Sequence, residues 1–246
     1  MDTKLCSICG AVEIPGTICT HTFPCEKCDT SKHDGRLIPI DRDGNCLTCG
    51  KPVRNKQRFW DSQAARGELS GTQDRYAKEL EMQTISHYVR DGMRVLDVGC
   101  GDGETVLFLA DKYPHLVIDG IDYSEEMISN ARQKRGFTDR MITFCRQDIR
   151  DGVGDLGDYD LVYTQRALIN LDTWEEQRTA ILDILSLLKP GGKYVMVECF
   201  VEGLDEINDL RQRVGLETIV PPWHNRYLKR DEVYAFCDEL FFKEGY

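Results

Sequence analysis

The stretch Val95-Leu96-Asp97-Val98-Gly99-Cys100-Gly101-Asp102-Gly103 constrains the fold more than any other part of the chain. A short apolar run carrying one acid ends in a turn with glycine at every second position, and an amphipathic run follows. Such a segment reads as a buried strand feeding a helix. The glycines permit positive φ and let the backbone approach a ligand closely. Amide groups at the start of the following helix favour an electronegative partner. The spacing Gly99-x-Gly101-x-Gly103 differs from the G-x-G-x-x-G of dinucleotide sites. A carboxylate at Asp97 repels a pyrophosphate and suits a cationic group.

The rest of the chain repeats this alternation. Apolar runs Val95–Val98, Leu116–Ile121, Met141–Cys145, Leu161–Tyr163 and Tyr194–Val197 read as strands of a parallel sheet. The stretches Glu104–Lys112, Glu125–Lys134 and Thr173–Leu188 read as helices. The expected class is α/β: a Rossmann-like open, mostly parallel sheet with helices on both faces. Upstream, good helix formers begin at Asp74, with Tyr76, Leu80 and Ile85 as the expected apolar stripe. Two further acids close strands. Asp122, in Gly120-Ile121-Asp122-Tyr123-Ser124, is placed to accept from two ribose hydroxyls. Asp148, in Cys145-Arg146-Gln147-Asp148-Ile149, can accept from an adenine amino group. Each alone is also a helix-start or turn residue, with Ser124 a natural cap. Together and in order they point to a nucleoside cofactor without a pyrophosphate.

From about Arg58 onward the chain resembles the class I S-adenosylmethionine-dependent methyltransferases, through VLDVGCGDGETVLFLA, GIDYSEEMISNAR, FCRQDIRD, YDLVYTQRALINL and LLKPGGKYVMVE. The resemblance implies that Asp97, Gly99, Cys100 and Gly101 surround the methionine part. It puts Asp122 on the ribose, Tyr123 and Met127 beside the adenine, Asp148 and Ile149 at its edge, and Gln165 near the transferred methyl. Leu168–Leu171 with Trp174, Glu175 and Gln177, and Pro222-Trp223-His224-Asn225, are similar to a subgroup acting on sugars or small metabolites. Glu198, His224 and Tyr227 are the candidates for handling an acceptor proton, and Arg166 for binding an anionic acceptor. Cys100 is read as a small packing residue and not a nucleophile. Domains of this family end in an antiparallel hairpin. Phe241–Tyr246 is expected to start its sixth strand, which leaves the sheet edge incomplete or open to a partner.

The chain has 11 cysteines, seven of them within the first 49 residues. Cys6-x2-Cys9, Cys19-x-His21, Cys25-x2-Cys28 and Cys46-x2-Cys49 supply eight ligands, enough for two tetrahedral, structural zinc ions. Sequential grouping joins the first four and the last four. Interleaved grouping joins the first and third pairs and the second and fourth. Residues 5–52 resemble a RING finger, which implies the interleaved arrangement. The last pair, Cys46-Leu47-Thr48-Cys49, lacks the proline common in ubiquitin-ligase RINGs, and the basic residue after it stands at Lys51. Ligase activity is therefore not expected.

The expected organisation is a zinc-binding module at 1–52, a linker at 53–73 and a methyltransferase domain at 74–246. The net charge of −11 disfavours a polyanion as partner. No apolar run reaches a membrane span, and no secretory signal opens the chain, so a cytoplasmic location is expected. The leading expectation is methyl transfer to a small molecule, such as a sugar or nucleotide sugar. The alternatives are an RNA methyltransferase that grips nucleic acid through the zinc module and the basic residues Arg36 to Arg58, and a RING-like adaptor or ubiquitin ligase. A protein partner is expected, if at all, at the zinc module or the open sheet edge.

Overall fold

The computed structural model describes residues 56–64, 74–154 and 156–244. The module at 1–52, with Cys6, Cys9, Cys19, His21, Cys25, Cys28, Cys46 and Cys49, lies outside them.

Five strands form one parallel sheet: β1 (Arg94–Val98), β2 (Val117–Asp122), β3 (Met141–Arg146), β4 (Tyr159–Gln165) and β5 (Leu188–Val197), in the order β3-β2-β1-β4-β5. Each neighbouring pair is parallel. The chain runs outward from β1 through β2 to β3, then crosses back so that β4 lies on the other flank of β1. That reversal opens a crevice above the carboxyl ends of β1 and β4, where sheets of this kind bind ligands.

Successive residues of a strand point to opposite faces, which gives the sheet two cores. Val95, Ile118, Leu161 and Val195 pack with Val106, Leu109 and Ile128 on one face. Leu96, Val98, Ile121 and Val162 pack with Ile181, Ile184 and Phe236 on the other. The first face carries α2 (Arg75–Ser86), α3 (Glu104–Lys112) and α4 (Glu125–Arg135). The second carries α5 (Trp174–Ser186) and α7 (Arg230–Glu244). Burying one such Leu or Ile stabilises the fold by about 1.5–3 kcal/mol.

Helix starts follow local chemistry. Asp74 accepts from the amide of Ala77, and Ser124 from that of Met127. Thr173 and Glu176 form a reciprocal capping box at the head of α5. Thr173 is thus a cap, and the helix starts one residue later than the sequence suggests.

Three expectations are corrected. Tyr76 and Leu80 are exposed, and only Ile85 of the expected stripe is buried. Besides Ile85, the inward side of α2 carries Lys78, which lines the crevice, and Glu81, which meets Gln165 and Arg166. The segment expected as linker contains α1 (Lys56–Ala64), with Phe59 and Ala64 buried. Residues 241–244, expected as the start of a sixth strand, continue α7. The inward face of that helix, Val233 and Phe236, is buried, with Phe236 edge-on to Trp174, so the helix runs on from its own packing. The remaining helix, α6 (Val201–Arg213), follows β5. No helix among the described residues is long and apolar enough to cross a membrane.

Candidate active site

A cleft of about 580 Å³ opens at the carboxyl ends of β1, β2 and β4. That volume lies in the range of small-molecule sites. Its floor is the turn after β1. Gly99, Gly101 and Gly103 all have positive φ, at 80°, 54° and 77°. Gly99 has a steric role too: a Cβ there would lie 2.4 Å from the Cβ of Ala167. The turns after β1 and β4 are therefore in direct contact. At Gly101 an added Cβ would meet nothing within 4 Å, so this residue presents bare backbone to the cleft.

Two carboxylates flank the turn. Asp97 is buried, with Oδ2 accepting from the Tyr163 hydroxyl at 2.8 Å and Oδ1 without any partner. Burial pushes its carboxyl up to about 8; the Tyr163 hydrogen bond opposes this and the charge of Asp122 adds to it. A buried lone carboxylate oxygen calls for a donor, best a cation. Asp122 accepts from the amides of Ser124 and Gly101, each at 2.9 Å and one per oxygen. Burial raises it to about 6 against the pull of those two amides. Each oxygen retains a second acceptor direction, which suits a pair of hydroxyls. The carboxylate thus ties the first and second strand ends together and still offers a ligand site.

Tyr123, Met127, Asp148 and Ile149 continue the lining on this flank. Asp148 caps the short 3-10 turn Ile149–Asp151, and its carboxylate pairs with Arg150. Burial alone would raise the Asp148 carboxyl, but the Arg150 hydrogen bonds and charge hold it below the usual range. The carboxylate expected at an adenine edge is thus already occupied by a guanidinium. The Tyr123 hydroxyl is buried without a partner.

The other flank is built from distant pieces. Gln165 Oε1 accepts from Thr105 at 2.6 Å, while its Nε2 donates to Glu81 at 2.7 Å. Arg166 is, among the described residues, the non-glycine residue with positive φ, at 52°. Such a conformation costs about 1–3 kcal/mol and persists only where the surroundings impose it. Here the Arg166 amide donates to the Val197 carbonyl at 2.8 Å, and its carbonyl accepts from Asn170 Nδ2 at 2.9 Å.

Glu198 enforces the same turn from below. Its carboxylate accepts from the amides of Ala167, Leu168 and Ile169 at 3.0, 3.1 and 3.4 Å. Burial raises its carboxyl to about 7, against the pull of hydrogen bonds from Leu168, Thr164, Ala167 and Ile169. Glu198 is not brought to the cleft surface, unlike His224 and Tyr227. Its lone pairs hold a 3-10 turn, Leu168–Asn170, in place of meeting an acceptor.

His224 stacks on Phe59 at a centroid distance of 4.1 Å, with Trp60 and Trp223 edge-on to it. Its Nδ1 is buried without a partner. Burial and, second, the charge of Lys56 lower the imidazole to about 4, so it is neutral at pH 7. Tyr227 borders Cys199 and Asn225; burial and Cys199 raise its hydroxyl, against Arg166 and Asn225.

The sequence did not point to the residues that cover the cleft. α1 contributes Lys56, Phe59, Trp60 and Gln63 to the lining. Lys56 donates to the Asn170 carbonyl at 2.7 Å, and Trp60 Nε1 to Asn170 Oδ1 at 3.2 Å. On the opposite bank Asp61 accepts from Ser124, and the Ala64 carbonyl from Asn130. α1 thus bridges both flanks. The aromatic pair Phe59-Trp60 was the signal in the sequence that something apolar faced inward there.

Residues 89–218 match the model of a family described as a methyltransferase domain. The chain is 37% identical over 100 residues to the Bacillus subtilis protein YqeM, covering 40% of this chain and 39% of that one. It is 31% identical over 109 residues to trans-aconitate 2-methyltransferase of Rhodococcus jostii, covering 44% and 39%. The chain thus spans about two fifths of the length of these relatives. Among solved structures, the plantazolicin methyltransferase BpumL in complex with SAH superposes with a TM-score of 0.55 at 17% identity, covering 77% and 74% of the two chains. A Haloferax volcanii complex of the Trm112 methyltransferase activator with a methyltransferase gives 0.54 at 24%, covering 73% and 74%. At those identities the superpositions establish the fold. With the matched family spanning more than half of the chain, this protein belongs to the family described as a methyltransferase domain.

Proposed function

We propose that this enzyme methylates a small-molecule acceptor held between the cofactor turn and the aromatic wall under α1. The observation that carries this reading is the single cleft that runs from the unpartnered Asp97 Oδ1 to the unpartnered His224 Nδ1. S-adenosylmethionine supplies a methyl group already activated by a sulfonium, so the protein contributes chiefly alignment, worth up to about 7–11 kcal/mol. In this reading Asp97 receives the cationic end of the cofactor, and the backbone of Gly99, Cys100 and Gly101 lies along its methionine part. Asp122 binds the ribose. Tyr123 and Met127 flank the adenine, with Asp148 and Ile149 at its edge. Gln165, fixed by Thr105 and Glu81, lies toward the methyl group. Glu198 positions the turn after β4. His224 and Tyr227 face the acceptor.

The curated relatives carry names for acceptors as different as trans-aconitate and malonyl-[acyl-carrier protein]. A sugar or nucleotide sugar remains the hydroxyl acceptor to test first, and His224 would have to take its proton. RNA and ubiquitin-ligase readings draw no support from the described residues.

Titration calorimetry with S-adenosylhomocysteine tests the assignment. Wild-type binding should weaken by about a hundredfold or more in Asp122→Ala, since two charge-assisted hydrogen bonds are lost. Undiminished binding by the variant would remove Asp122 from the site.

For the N-terminal segment we propose a separate module at 1–52 holding two structural zinc ions on the eight ligands named above, followed by a short connection to α1. The spacing of the C-x2-C pairs is the support. Among the described residues no group of three or more His, Cys, Asp and Glu is placed to hold a metal. Metal analysis should find two zinc ions per chain, falling to one or fewer in Cys25→Ser.

A further inference from the structure

We infer that the acceptor group is a carboxylate, bound by Arg166 and methylated to an ester. The inference rests on the methyl-transfer reading above and narrows its acceptor.

The first ground is how Arg166 is held. Residues held at positive φ cluster at active sites and ligand clamps. Val197, Asn170 and, through the next three amides, Glu198 together fix this one turn. The contact of Ala167 with Gly99 sets the turn against the cofactor loop. Arg166 therefore borders the cleft beside the cofactor loop. Its side chain is 23% exposed, and its buried Nε lies 3.2 Å from Glu81 Oε2 without an aligned hydrogen bond. Glu81 offsets the cost of burying the guanidinium. It approaches on the Nε side, and a guanidinium has further donors in a planar fork that matches a carboxylate. Tyr227 and Asn225 border the same corner in an otherwise aromatic wall.

The second ground is the supply of bases. A hydroxyl acceptor must give up a proton as it is methylated. Glu198 accepts from three amides and does not line the cleft. Asp97 and Asp122 are committed to the cofactor flank. His224 is stacked on Phe59 and is a weak base, being lowered to about 4. A carboxylate needs none of them. Its oxygen lone pair forms the bond to the methyl carbon, and the carbon–sulfur bond breaks with its electron pair passing to sulfur. The products are a methyl ester and S-adenosylhomocysteine. One negative and one positive charge are consumed, and no proton moves.

The test uses the full chain saturated with S-adenosylhomocysteine, titrated with phenylacetate and hexanoate and with the matching amides as probes. Acids should bind more tightly than amides. Their dissociation constants should rise about tenfold or more in Arg166→Gln, while S-adenosylhomocysteine binding stays within a few-fold. The double variant Glu81→Gln/Arg166→Gln removes both charges, leaves no lone buried carboxylate and should show the same loss. In parallel, methyl-labelled cofactor and an extract of small metabolites should give a product that releases labelled methanol in mild alkali. Amides binding as well as acids, no binding of either acid, acid binding that survives both variants, or an alkali-stable product would overturn the inference. Failure of S-adenosylhomocysteine itself to bind would instead strike the methyl-transfer reading.

Discussion

The two flanks of the cleft reach rigidity by different routes. The cofactor flank is local. Its turn, Asp122 and the two amides that Asp122 accepts from come from strand ends that are neighbours in sequence and in the sheet, with Tyr163 reaching Asp97 from β4. The acceptor flank is assembled from α1, α2, the turn after β4 and the loop at 222–227, segments far apart in the chain. It is held by long-range ties such as Trp60 to Asn170 and Glu198 to the amides of 167–169. A local flank tolerates change elsewhere. An assembled flank depends on ties made across the fold.

The sharpest way to break the contrast is at the point where the flanks touch. Gly99→Ala forces a Cβ to 2.4 Å from Ala167 at a φ of 80°. It should cost about 2–4 kcal/mol of stability from overpacking and strain together. Gly101→Ala, with open space and a φ of 54°, should cost about 1 kcal/mol in the fold yet obstruct the cofactor. Chemical denaturation and S-adenosylhomocysteine titration of both variants separate the effects. Equal stability losses would mean the contact with Ala167 does not matter.

Next in size is Glu198→Gln. The amide keeps one acceptor oxygen and turns a donor toward backbone N–H groups, costing about 1–3 kcal/mol. Methyl transfer should fall while cofactor affinity stays, because only the acceptor turn loosens. If affinity for the cofactor falls in step, the two flanks are not separable.

A pH titration sharpens the cofactor side. The Asp97 carboxyl of the free, folded chain stands at about 8 against an ordinary 3.8. Between those values the folded chain holds a proton that the unfolded chain has released. Its contribution to stability therefore falls as pH rises through that window. A cationic ligand group requires the ionised form, so binding below about pH 8 should expel the proton. Affinity should rise by up to about tenfold per pH unit, above the range in which Asp122, at about 6, titrates. Calorimetry in two buffers of different ionisation enthalpy reads the proton directly. Identical heats would detach Asp97 from the cofactor's cationic end.

The smallest effect concerns α1. Lys56 and Asp172 approach to 2.5 Å, but the Asp172 side chain is 63% exposed. Asp172→Asn should change stability by less than about 0.5 kcal/mol. A larger loss would mean that charge, and not the Phe59–Trp60–His224 packing, docks this helix.

The same contrast explains what the sequence disclosed. Every strand was legible, since apolar runs between glycine or acidic turns carry a period that survives folding. The positions of Asp97, Asp122 and the glycines at the strand ends were legible because strand and turn are set by a few adjacent residues. Tyr76 and Leu80 misled because α2 turns Lys78 toward the cleft and Glu81 onto Gln165 and Arg166, which apolar periodicity does not register. Residues 241–244 looked like a strand because aromatic residues suit both elements, and the backbone there continues α7. Glu198 looked like a base because it follows a strand. That its oxygens are spent on three amides is decided by a turn some 30 residues away.

The meeting of Gly99 with Ala167 also bears on how such an enzyme can diversify. Position 99 has no room to grow while 167 keeps its methyl, so a lineage that redesigns the turn after β4 carries a debt to the turn after β1. Side chains at 166 and in the aromatic loop can change without touching this contact, whereas enlarging residue 99 requires a smaller residue at 167.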